Sequence, residues 1–431
     1  MNTQAAAAEP ATESVAQPTP EGGLTVDEAR AAILASARRV CGAERVSLRQ
    51  ALGRVLAEDV VAPIDVPAYD NSAVDGFALS SEAMQACQDS VLQLMGTSLA
   101  GHALDATVPR GGCVRVMTGA AIPRGCDAVI AHEACRVEGE RVVIGPGRVR
   151  RGANLRQRGE DLRAGQSAIR AGKVLRPADL GLIGSLGQAD VAVRSRLRVA
   201  FLSTGDELRS IGDALEEGCI FDSNRHSLWG MLTRLGCDAR DLGLVRDEPR
   251  ALEDALKRAR ESADVVITTG GVGGGAADHL REALAGLGTA AFWRIAMRPG
   301  RPMAFGHIDG PSSRPALVFG LPGNPVAAMV AFYMILRDAL LLMMGAQARP
   351  VPLMRVKALD PLGKLPGRME FQRAVLVPLQ DGELGVRSTG HQGSGILRSM
   401  SEADGLVVLE GARGRVEAGE LVSFLAFEGL V

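Results

Sequence analysis

The chain has 431 residues, 46% hydrophobic and 23% charged, with a formal net charge of −2. That length exceeds one ordinary core and implies two to four globular domains. The near-neutral balance excludes a general basic field, so nucleic acid is not an expected partner and any anion site must be a local patch.

Residues 1–23 lack a basic n-region and an apolar h-region, and their Ala, Pro, Thr and Glu content predicts a disordered tail rather than a signal peptide. Thr25 with Glu28 makes a capping box, and apolar residues at 29, 32, 33 and 34 predict a helix over 25–38. From 45 to 164 short β-type runs such as GGCVRVM and CDAVIA alternate with turns, which predicts a β-rich module. Residues 165–196 return to short helices around 177-PADLGLIGSLG-187.

From Arg198 onward the pattern is α/β. Strands are predicted at 198–203, 240–245, 264–269, 291–297, 302–308 and 316–320, with helices at 225–236, 249–262 and 277–288. The alternation implies a sheet of parallel strands joined by right-handed crossovers. The apolar run Pro325–Met344 is interrupted by Arg337 and Asp338 and reads as a buried helix, so no membrane span is expected. After Pro350 glycine-marked hairpins predict a second β-rich region. The seven cysteines, Cys41, Cys87, Cys113, Cys126, Cys135, Cys219 and Cys237, form no CxxC or CxxH pair. They read as reduced thiols of a cytoplasmic protein.

In an open α/β sheet, ligands sit beyond the carboxyl ends of the strands. Three loops fall there: 203-STGDEL-208, 269-TGGVGGG-275 and 320-GLPGNP-325. Backbone N–H groups and helix N-termini there can hold an oxyanion, and Gly205, Gly271, Gly275, Pro322, Gly323 and Asn324 are the candidate contact residues. Any one of them could be only a tight turn; three at one edge favour a ligand site. Asp206 and Glu207 are a solvated pair or magnesium ligands. Arg294, Arg298 and Arg301 surround a Pro-Gly turn and read as a clamp for a charged substrate. In the β-rich module, 67-PAYDNSAVDGFAL-79 gathers Asp70, Asn71, Ser72 and Asp75, Thr118 follows a strand, and Asp161 lies among four arginines in 151-RGANLRQRGEDLRAG-165. Each of these could also be a structural turn.

Taken in order, PAYDNSAVDGFA, VRVMTGAAIPRGCDAVI, RRGANLRQRGED, FLSTGDEL, TTGGV, AMRPGRPMAFG, GLPGNPVAA, GRMEFQRA and GHQGSG resemble the molybdopterin molybdotransferase (MoeA, molybdenum insertase) family, to which gephyrin is related. The resemblance covers roughly residues 25–425. It implies a multidomain fold: a tail at 1–23, a linking domain from 24–44 plus 165–196, and a β-rich domain at 45–164. A three-layer α/β molybdopterin-binding domain at 197–346 and a C-terminal β-barrel-like domain at 347–431 complete it. It also implies an enzyme that takes molybdate and adenylylated molybdopterin, releases AMP with the help of Mg2+, and works as a homodimer with a shared cleft. A molybdopterin adenylyltransferase and target molybdoenzymes are the implied partners.

Carried over by motif, Asp75, Asp161, Glu207 and Asp247 are the implied catalytic acids, with Glu207 and Asp206 as metal ligands. Thr118, Asp278, Arg294, Arg298, Arg301, Arg373 and Ser394 join the loop residues as substrate contacts. The glycine loop departs from the family pattern GGVSVGEADY: Gly273, Gly274, Ala276 and His279 replace a serine, a valine, a glutamate and an aromatic residue. Basic positions that are commonly lysine are arginine in a chain with only four lysines among 48 basic residues. The alternatives are a non-catalytic pterin- or AMP-binding carrier, against which the full acid set counts, and the preceding adenylyltransferase step, against which the β-rich flanking regions count.

Overall fold

The four inner members of a six-stranded sheet carry apolar residues on both alternating faces, which forces cover on each side, and all six strands lie from Arg198 onward. These are β1 (Arg198–Thr204), β2 (Asp238–Val245), β3 (Val265–Thr269), β4 (Gly288–Arg294), β5 (Pro302–Ile308) and β6 (Ala316–Leu321). The computed structural model describes residues 23–40, 42–273, 279–309, 315–347, 350–380 and 382–430. The expected tail, Cys41, and the loop positions Gly274, Gly275, Ala276 and Asp278 lie outside the described residues.

The chain divides into two compact units. One takes the described parts of Met1–Glu44, Gly53–Ala57 and Ala192–Val431; the other takes Arg45–Leu52 and Glu58–Val191.

In the first unit the sheet order is β2-β1-β3-β6-β5-β4. Val199, Phe201, Val265, Ile267, Phe305 and Phe319 are buried on one face with Leu228, Leu232, Ile335 and Leu336. Ala200, Leu202, Val266, Ala304 and Val318 are buried on the other with Leu252, Ala255, Leu256, Leu280 and Leu284. The covering helices are α1 (Val26–Ser36), α2 (Asn224–Leu235), α3 (Pro249–Ser262), α4 (Leu280–Ala285) and α5 (Pro325–Ala331), the last continuing through Phe332–Leu336 to Met343. The capping box of α1 forms as expected: Thr25 Oγ1 accepts from Glu28 N–H at 3.2 Å, and Glu28 accepts from Thr25 N–H at 2.8 Å. Pro325–Met343 is long and apolar enough to cross a membrane, yet 67% of its apolar window is buried inside the fold.

The all-parallel expectation holds for β2, β1, β3 and β6 only; β5 and β4 are antiparallel to their neighbours. The connections β4–β5 and β5–β6 are too short for a crossover, which needs a dozen or more residues. The strand expected at 291–297 is displaced to 288–294, and Met297–Arg298 pairs instead with Met369–Glu370. The segment expected to return to helices after 165 holds one, Pro177–Ser185, between strands Ser167–Ile169 and Asp190–Arg194.

That pairing leads into a barrel. The strands β7 (Met354–Ala358), β8 (Met369–Pro378), β9 (Leu384–Ser388), β10 (Gly405–Leu409) and β11 (Leu421–Ala426) close on themselves, because β8 pairs with both β9 and β10. Val356, Ala374, Val386, Val407 and Phe424 fill it. The second unit carries a six-stranded sheet in the order 128–131, 76–79, 112–116, 90–98, 141–144 and 136–138. Phe77, Leu79, Leu92, Cys113, Ile130 and Ile144 pack on one of its faces.

Phe319 stands next to Phe305, which stands next to Trp293, with ring centroids 5.2 and 5.3 Å apart. Phe319→Ala is expected to cost about 3–5 kcal/mol. Urea unfolding followed by tryptophan fluorescence measures it as a shift to lower urea in the transition of this unit.

Candidate active site

Parallel registration sets the edge at which the site forms. Ser203 lies opposite Thr269, and Thr269 opposite Leu321, so β1, β3 and β6 release their loops at one level. The loops are stitched together: Gly270 N–H donates to the Leu321 carbonyl at 3.1 Å, and Asn224 Nδ2 donates to the Gly323 carbonyl at 2.7 Å. Gly270 has φ of +94°, and a Cβ on it would lie 2.2 Å from the Thr204 carbonyl oxygen. No other residue fits, because both the backbone angle and the contact with the β1 loop exclude a side chain.

Beyond these loops opens a cavity of about 930 Å³. Gly205, Glu207 and Asp247 line it from the β1 and β2 ends, and Gly271 from the β3 end. Pro322, Gly323 and Asn324 contribute from the β6 end, with Arg298 and Arg301 from the turn before β5. Ser394 comes from the barrel, and its carbonyl accepts from Val326 N–H at the start of α5, at 3.1 Å. Loops from two folded layers therefore share one wall.

The charge is mixed. Arg298 lies 3.6 Å from Glu370, a buried carboxylate. Arg301 and Arg368, both exposed, also line the cavity and bring two more guanidinium groups to it. Glu207 folds back over the adjacent backbone: a Cβ on Gly205 would sit 2.7 Å from its Oε2. Beneath the floor, Ser203 Oγ donates to Asp222 Oδ1 at 3.1 Å and lies 2.9 Å from Thr269 Oγ1. Asp222 is 2% exposed and ion-paired to Arg225 at 3.3 Å, so this buried polar group anchors the strand ends.

The second unit holds a separate pairing. Asp75 Oδ1 accepts from Thr118 N–H at 2.7 Å and from Thr118 Oγ1 at 2.8 Å. The backbone hydrogen bond first, and the hydroxyl second, hold the Asp75 carboxyl below the usual aspartate range. Asp161 is exposed in a turn whose N–H donates to the Val66 carbonyl at 3.0 Å.

Comparison with known proteins follows this geometry. Residues 24–187 match the family model for the MoeA N-terminal region (domain I and II), 200–341 that described as a probable molybdopterin binding domain, and 355–427 that for the MoeA C-terminal region (domain IV). A Haemophilus influenzae protein called molybdopterin molybdenumtransferase is 38% identical over 409 residues, covering 95% of this chain and 100% of its own. The chain belongs to the MoeA family. Molybdopterin molybdenumtransferase 2 of Mycobacterium tuberculosis is 34% identical over 385 residues, covering 87% of this chain and 93% of its own. The crystal structure of the molybdopterin biosynthesis moeA protein from Pyrococcus horikoshii is similar with a TM-score of 0.79 and 29% identity, covering 94% of this chain and 100% of that one.

The MoeA motifs thus converge in part. Glu207, Asp247, Arg298, Arg301 and Ser394 meet at the cavity with the glycine and PGNP loops. Asp206 is exposed and not among the lining residues, its carbonyl accepting from Arg209 at 2.9 Å. Arg294 is exposed and likewise off the lining, its carbonyl accepting from Leu24 N–H at 2.9 Å. Arg373 is 1% exposed and donates inward, to Ser399 Oγ at 2.9 Å, to the Gln392 carbonyl at 3.2 Å and to the Gly393 carbonyl at 2.9 Å. Burial lowers its guanidinium to about 10. It shapes the loop that carries Ser394 from behind. Sequence reasoning missed Phe221, Asn224, Arg368 and Gln392 on the lining. An Asp-Ser-Asn run ahead of a helix reads only as a cap, and Arg368 stands in a turn whose neighbours are distant in sequence.

Two outcomes follow. Arg373→Met should cost about 3 kcal/mol by orphaning buried carbonyls, and hydrogen exchange should speed up over 390–395. Because the folded Asp75 value is depressed, its stabilisation is present above the ordinary aspartate value and is lost as pH falls through the folded one. Thr118→Val should move the Asp75 carboxyl back up toward the ordinary range in a carbon-detected NMR titration.

Proposed function

We propose that this protein is a molybdenum insertase of molybdenum cofactor biosynthesis, which uses molybdate and adenylylated molybdopterin and releases AMP. The observation that carries the reading is the cavity itself: arginines at 298, 301 and 368, a stripped backbone edge, and three carboxylates, Glu207, Asp247 and the buried Asp222, on one lining. Both substrates are anions, so fixed cations and backbone donors position them without reorganisation at the moment of reaction. Glu207 then orients a water or hydroxyl toward the phosphoanhydride and holds its proton.

Among the described residues no group of three or more His, Cys, Asp or Glu could hold a metal ion. Magnesium takes one or two carboxylates together with substrate phosphates. Asp247 would hold it in place of the expected Asp206, which is off the lining, leaving Glu207 for the proton, and when bound it would neutralise charge on the phosphate oxygens. The protein works in this reading as a cytoplasmic homodimer, supplied by a molybdopterin adenylyltransferase and serving molybdoenzymes. Asp75, Thr118 and Asp161 are assigned to the same reaction from the motifs of the second unit.

Purified protein given adenylylated molybdopterin, molybdate and Mg2+ should release AMP and form the cofactor; binding without AMP release would instead mark a carrier. Glu207→Gln should lower turnover at least about 100-fold while calorimetry shows AMP still binding. Full activity in that variant removes Glu207 from the chemistry.

A further inference from the structure

One wall of the cavity is apolar, and neither the phosphates nor molybdate accounts for it. Leu208, Ile220 and Phe221 line it, with Phe221 45% exposed. Phe221 is the single aromatic side chain among the described lining residues. An aromatic ring left in water gains nothing for the fold, whereas beside an arginine wall it suits a ligand with an anionic part and a flat apolar part.

The ring is also held in place. Ile220–Phe221 pairs in parallel with Leu208–Arg209. Ile220 N–H donates to the Glu207 carbonyl at 2.8 Å, and Asp222 N–H to the Arg209 carbonyl at 3.0 Å. The next residue, Asp222, is locked by Ser203 and Arg225 in the buried group beneath the floor. Phe221 is thereby fixed relative to the segment that carries Glu207. A preorganised aromatic face needs no ordering when a planar ligand arrives.

We propose that Phe221 is the stacking platform for a fused heteroaromatic ring of the substrate, adenine or pterin, and so sets the register of the phosphoanhydride against Glu207. This deepens the insertase reading and rests on it. Base stacking on an aromatic side chain corresponds to roughly a tenfold change in affinity or more.

The test is calorimetric titration of the full chain with AMP, ribose 5-phosphate and pterin-6-carboxylate, in wild type, Phe221→Ala and Phe221→Tyr. The expected result is that Phe221→Ala weakens AMP or pterin-6-carboxylate about tenfold or more, leaves ribose 5-phosphate unchanged, and is matched by near wild-type affinity in Phe221→Tyr. The ligand that weakens names the ring. Equal affinity for both ring ligands in wild type and Phe221→Ala overturns the platform while leaving the insertase reading intact. An equal loss for ribose 5-phosphate overturns it too, because the effect would then lie at the anion end. A wild-type chain that takes none of the three removes the reading beneath the proposal.

Discussion

The backbone register of β1, β3 and β6 is the constraint on which the rest depends. Parallel hydrogen bonding places Thr269 level with both Ser203 and Leu321, so three chain segments distant in sequence turn at one height. Apolar residues on both faces hold that register, since a slip by one position would exchange the buried sets of the two faces. Once the strand ends are level, the loops touch through backbone. Gly270 against Thr204 and Asn224 against Gly323 are consequences of that closeness rather than independent devices.

Charge at this edge is divided by burial. Arg373 is fully engaged by the 391–393 carbonyls and Ser399, and Arg298 is shared with Glu370. Arg301 and Arg368 line the cavity and are exposed. A forked guanidinium suits both tasks, because its several donors can satisfy several carbonyls at once or meet an oxyanion in pairs. The acids separate likewise. All three line the cavity, but Asp222 is buried and braced at its floor, whereas Glu207 and Asp247 are not buried. The turn that follows β1 therefore carries a carboxylate, and the apolar face of Phe221 is pinned to the same short pairing.

Much of the fold was legible along the chain. The helix Pro249–Ser262 ends where its periodicity ends, and the capping box at Thr25 and Glu28 forms as its spacing implies. The strand-helix alternation implies parallel strands throughout, yet β5 and β4 run antiparallel to their neighbours. Local pattern reports burial, but pairing direction depends on the length of connection available. The strand drawn to 297 stops at Arg294, because Met297–Arg298 finds a partner at 369–370, far beyond any local window.

The site was legible to the extent that its chemistry is written in short motifs. The glycine loops, Glu207, Arg298 and Arg301 follow from residue type and order, Asp247 and Ser394 only from the family resemblance, and each is represented on the cavity lining. Which arginine reaches the cavity lining was decided by the tertiary structure. Arg294, Arg368 and Arg373 are chemically alike in sequence, yet one lies off the lining, one lies on it and one is buried behind a loop. The difference arises from solvation: a guanidinium surrounded by carbonyls is satisfied where it sits, whereas one at an open wall can be satisfied by a ligand. Sequence determined which groups were available; packing of the barrel against the α/β layer decided which of them could be reached.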